Sequence, residues 1–179
     1  MRTDDFWTLI DQARTGADGD VEAIAARATE LLAARDVADI VGYARHQRRV
    51  LAASYLVDLW GAAYLINGGC SDDWFDYFRG WLIAQGRSVF ARAVAEPDSL
   101  AELPVVRQAA VTGEDFASQE MLGVATRAYR KATATELPPD PDAVPYPPEI
   151  GEFWDFDDEG SARRQLPRLA ALFLDPPAE

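Results

Sequence analysis

The sequence predicts an all-α fold: an irregular bundle of about five or six helices with a proline-rich C-terminal extension that packs back on it. Three observations lead there. No proline interrupts Met1 to Glu96. Apolar residues in that stretch recur at helical spacing, while strand-like alternation is weak. Prolines crowd instead into residues 137–148, and the aromatic residues Phe153, Trp154 and Phe156 follow soon after. Those rings call for burial, so the extension is expected to wrap the bundle.

Each element has its own signals. Thr3 is a suitable N-cap, with Asp4 and Asp5 in a first turn where the helix dipole favours acids. Phe6, Trp7, Ile10 and Ala13 form the apolar face, and Gly16 to Gly19 breaks it. Asp20 begins a second helix, with Val21, Ile24, Ala25, Ala28, Leu31 and Leu32 inward. Asp36 begins a third, long helix, whose stripe runs Val37, Ile40, Val41, Ala44, Leu51, Tyr55 and Leu59, with Arg45, Arg48 and Arg49 filling much of the gap. A nearly continuous apolar run then reaches Asn67-Gly68-Gly69, a triplet able to supply the positive φ that stops a helix. Ser71 caps the next, with Trp74, Phe75, Phe78, Trp81 and Leu82 on its face and Gly86 at its end. A short helix spans about Ser88 to Ala95. Residues 98–104 read as a loop or a single turn after the Glu96-Pro97-Asp98 break. Periodicity returns from Phe116 to Ala132, and a last short helix is expected over Leu166 to Leu174. The chain therefore divides into a helical domain, 1–136, and an acidic extension, 137–179.

Composition excludes several functions. Residues 137–179 hold ten acids and three arginines, contributing −7 of a net charge of −13. Nucleic acid needs a basic footprint that is missing here, and an anionic membrane surface would repel the chain. The charge would favour a basic protein partner through steering, but solubility is the preferred account of it. With a single cysteine, Cys70, no intramolecular disulfide is possible. The first residues lead straight into an amphipathic pattern and do not read as a signal peptide. The longest strongly apolar stretch, Leu59 to Ile66, is too short to span a bilayer. A cytoplasmic protein is expected.

The central block is distinctive: Trp60-Gly61-Ala62-Ala63-Tyr64-Leu65-Ile66-Asn67-Gly68-Gly69-Cys70-Ser71-Asp72-Asp73, continuing through Phe75, Tyr77-Phe78-Arg79, Trp81-Leu82-Ile83 and Gly86-Arg87. It resembles a bacterial, largely actinobacterial domain-of-unknown-function family, number 4240, and Phe6-Trp7-Thr8-Leu9-Ile10 resembles that family's opening. The resemblance covers about residues 4–130. It implies a domain boundary and no particular chemistry.

Candidate sites follow from local chemistry. Asp72, Asp73 and Asp76 form an aspartate-rich pattern that places Asp72 and Asp76 on one helix face, suited to a hard cation. No second acidic motif or basic cluster accompanies it, so capping by Ser71 is the preferred account and no metal or cofactor is expected. Gly68-Gly69 reads as an interhelical turn rather than a phosphate cradle, because acids already occupy the following helix start. Cys70 reads as a small buried thiol whose acidic neighbours raise its pKa. His46, among Arg45, Arg48 and Arg49, reads as a neutral surface histidine.

Asp58 stands in apolar sequence. If buried it needs a cationic partner, and Arg79 or Arg87 in the next aromatic block would supply one. A salt bridge pinning two helices is the preferred reading. The alternative is a polar ligand pocket around Asp58, Tyr64, Arg79 and Arg87. Three functions stay open: a non-enzymatic binder of a basic protein (of the immunity or regulatory kind) through Asp155, Asp157, Asp158 and Glu159; a small-ligand binder or enzyme; and a self-associating module.

Overall fold

The computed structural model describes residues 1–141, 143 and 146–175. Pro145 of the proline run and the terminal residue Glu179 lie outside them. Every regular element among the described residues is helical. The described residues form eleven α-helices and one 3-10 helix, about twice the number expected.

The first three helices are α1 (Thr3–Arg14), α2 (Val21–Ala33) and α3 (Val37–Ala53). The cap of α1 falls on Arg2 rather than Thr3, because the Asp5 carboxylate reaches back to the Arg2 amide at 2.9 Å. Asp20 caps α2 as expected, accepting from the Ala23 amide at 3.0 Å. The third apolar stripe is not one helix. It breaks at Ser54 to Leu56 and resumes as α4 (Val57–Asn67), bent by 87° from α3. No proline or glycine causes this break. The Ser54 hydroxyl turns back onto the Val50 and Leu51 carbonyls at 3.1 Å, and Leu56 takes an extended conformation. Among the described residues no single helix is long and apolar enough to cross a membrane, and α3 with α4 form a bent pair.

Gly68, with φ +65°, ends α4. Ser71 caps α5 (Asp72–Ala84) by accepting from the Trp74 amide. Then come α6 (Arg87–Ala95) and a 3-10 helix η1 (Pro97–Glu102), about two turns where a loop or a single turn was expected. Residues Pro104–Thr112 form α7, which periodicity alone did not reveal; Pro104 at its first position marks the start. The periodic stretch after Phe116 is two helices, α8 (Gln119–Leu122) and α9 (Val124–Thr133), and the extension holds α10 (Glu159–Gln165) and α11 (Pro167–Phe173).

These helices sort into two groups. In one, α2 packs on α1 and α9, and α3 also meets α9. In the other, α11 packs on α10, η1 and α4, while α6 and α7 flank η1. The aromatic helix α5 touches both groups through α1, α2, α4, α6 and α8. Phe6 of α1, Phe75 and Phe78 of α5, and Leu169 of α11 all belong to one buried core. The extension therefore packs back, as the sequence predicts.

Its docking is held by polar contacts as well. Arg45 of α3 grips Asp140 through two hydrogen bonds, of 2.8 and 3.0 Å. At the other end Asp98 of η1 is buried and accepts the Arg168 and Leu169 amides that open α11. The Arg168 side chain closes the same knot on Asp98, Glu96 and Glu102.

Candidate functional site

Between those anchors the extension crosses α4 and α5 along a seam of aromatic rings. Gly61 makes the crossing possible. A Cβ there would lie 2.3 Å from the Trp154 ring, so only glycine lets the indole settle on α4. Trp154 packs edge-on against Phe156 at 4.6 Å, and Phe156 touches Tyr64 at 5.5 Å. Phe153 stands edge-on to Trp60 at 5.2 Å, and Trp60 stacks on Phe75 at 4.6 Å. Tyr146 meets Tyr55 at 6.1 Å. Each ring pair of this kind adds about 0.5–1.5 kcal/mol to the area it buries.

The four residues considered for one polar pocket go to separate partners. Asp58 is exposed and accepts from Trp154 Nε1 at 3.0 Å, so the salt bridge expected with Arg79 or Arg87 is replaced by an indole. Asp58 sits in the first turn of α4, just after the break between α3 and α4, where its carboxylate stays in water. The Tyr64 hydroxyl donates to Asp157 at 2.5 Å, and that bond is the main cause of its raised pKa. Arg87 is exposed on α6 and pairs with Asp4 at 2.7 Å.

Arg79 is different: it is fully buried. Its Nε donates to the Phe75 carbonyl at 3.2 Å and its Nη1 to the Leu51 carbonyl at 2.7 Å. Its Nη2 bonds the Asp76 carboxylate and the Tyr146 hydroxyl. That hydroxyl in turn donates to Asp76 Oδ1 at 2.6 Å. The guanidinium also lies over the rings of Phe75, Tyr55 and Tyr146, at 4.5, 4.9 and 5.6 Å. Burial, then the Asp76 hydrogen bond, pushes the Tyr146 phenol up to about 12. Sequence reasoning placed Arg79 correctly inside an aromatic block but missed Tyr146. The i, i+3 spacing of Asp76 and Arg79 was the visible half of the triad.

The aspartate-rich stretch is divided among other tasks. Asp72 and Asp73 are exposed in the first turn of α5 behind the Ser71 cap, and Asp76 belongs to Arg79. Among the described residues no three His, Cys, Asp or Glu side chains gather to hold a metal. Burial pushes the Cys70 thiol up to about 12, with Asp72 adding a smaller upward push.

Four acids were read as a partner surface. All four are exposed: Asp158 caps α10, Asp157 accepts from Tyr64, Asp155 accepts from the Asp157 amide, and Glu159 pairs with Arg163. The signal missed was two further acids upstream. Between residues 149 and 159 the chain carries Glu149, Glu152, Asp155, Asp157, Asp158 and Glu159 and no basic residue. Beside them a cleft of about 580 Å³ opens between the start of α4 and the extension, lined by Leu56, Asp58, Glu152, Phe153 and Trp154 among others.

Fold and site together define an all-α domain crossed by an acidic, aromatic strap. The chain belongs to the family described as protein of unknown function DUF4240, whose model matches residues 1–131. No curated protein and no solved structure matches it.

Proposed function

We propose that this chain is a non-enzymatic protein-binding module whose partner is a basic protein, in the manner of an immunity or regulatory protein. The observation that carries the reading is the segment 149–159, with six carboxylates, no base, and an aromatic residue left half-exposed among them, Phe153 at 50%. Acids draw a cationic partner in, and an exposed ring beside a cleft gives it an apolar anchor. The cleft adds Asp58 and Glu152 to the same surface. Nucleic acids and anionic membranes would be repelled by this charge. The setting is cytoplasmic on this reading, in keeping with one free cysteine.

The test is a binding measurement against proteins of the source organism. The triple variant Glu149→Gln, Glu152→Gln, Asp155→Asn leaves the Tyr64 contact and the α10 cap untouched. A basic protein should bind the wild type, weaken about tenfold or more toward 0.3 M salt, and be lost with the triple variant and with Phe153→Ser. Retention by all three forms, or a partner that is not basic, would refute the reading.

A further inference from the structure

The polar chemistry around Arg79 describes a ligand. Its recess is built entirely within the family-matched region, from Leu51, Tyr55, Phe75, Asp76 and Arg79, whereas what fills it, Tyr146, lies outside that region. Two of the guanidinium's bonds end on backbone carbonyls of the domain, and Nη2 faces the strap. At that point a guanidinium donor and a carboxylate acceptor converge on a single oxygen. Only a group that accepts and donates at one atom satisfies both; a carboxylate has no proton for Asp76, and an ammonium has no lone pair for Arg79. The flanks select for a flat ring. Tyr55 meets it edge-on at 6.1 Å, and the guanidiniums of Arg79 and Arg48 lie over it at 5.6 and 5.8 Å.

We propose that the Arg79–Asp76 recess is a binding site for an aromatic hydroxyl, occupied in cis by Tyr146 and open to a phenol in trans when the strap exchanges. A protonated phenol is what the site takes, since the hydroxyl must donate to Asp76, and the raised pKa of Tyr146 keeps it in that form. The ligand's source is either a free phenol or a tyrosine side chain of another protein, and the two have the same chemistry at the recess.

The test uses the full chain carrying Tyr146→Ala, which empties the recess and leaves the rest of the strap. Calorimetric titration with p-cresol should give saturable binding about tenfold or more tighter than with toluene, which has the ring and no hydroxyl. Adding Asp76→Ala, which removes the acceptor, should sharply reduce that preference, and the wild type should bind p-cresol about tenfold more weakly because Tyr146 competes at high effective concentration. N-acetyl-tyrosinamide distinguishes the sources: binding as tight as p-cresol points to a protein tyrosine, and exclusion points to a free phenol. If Tyr146→Ala is unfolded alone, recovery of its helical circular dichroism with p-cresol and not with toluene is the equivalent positive result. Equal binding of p-cresol and toluene, equal binding to wild type and variant, or no binding and no recovery would each overturn the proposal.

Discussion

Two residues of α3 show how burial sets chemistry one side chain at a time. Tyr43 is fully buried, and among the described residues its hydroxyl has no hydrogen-bond partner. Burial raises its pKa accordingly. An unsatisfied hydroxyl costs stability that a phenyl ring does not, so Tyr43→Phe should stabilise the protein by about 1 kcal/mol in urea titration. A loss of stability would mean that the hydroxyl is satisfied in solution. His46 packs against the Phe6 ring at 5.0 Å and is half-buried, which lowers its pKa; Arg49 and the N-terminal amine push the same way. Its folded state thus resists protonation while the unfolded chain accepts a proton near the ordinary value of 6.5. As pH falls below that value the unfolded state gains protons that the native state refuses, and stability drops. Thermal melts should show this slope between about pH 7 and 5.5, and His46→Gln should flatten it.

Elements were legible where a cap or a glycine marked them. Asp20, Ser71 and Gly68 begin or end helices where they were read. The break at Ser54 was not legible, because a serine back-bonding to carbonyls leaves the same apolar stripe as an unbroken helix. Residues 104–112 were passed over because only Val106 and Ala109 are buried there, too few for a periodic signal. Around the candidate site, Arg79 was visible as a charge among rings, yet Tyr146 lies 67 residues away in a proline run that has no periodicity. Asp58 was misread because apolar neighbours in sequence do not bury a residue at a helix start. Helix α4 offers its own test at Gly61. Glycine to alanine in a helix interior normally gains about 1 kcal/mol. Here the new Cβ would strike the Trp154 ring, so Gly61→Ala should instead cost about 1–3 kcal/mol. Tryptophan fluorescence should shift to the red as the indole lifts off. A more stable variant with unchanged emission would show that the crossing is loose.

At the scale of the molecule, the strap is part of the core. Ala162, Leu166 and Leu169 are buried with residues of α1 and α5, and Asp98 spends its carboxylate on the opening of α11. Removing residues 137–179 would expose that apolar face to water and strip Asp98 of its donors. The shortened chain should melt well below the full one, by circular dichroism, and a matching melting temperature would show that the strap contributes little. The Asp98 knot also fixes an order of events during synthesis. A ribosome releases η1 long before α11, so the carboxylate has to wait, solvated and unpaired, until some seventy further residues have emerged. The second helical group can therefore close only late in synthesis.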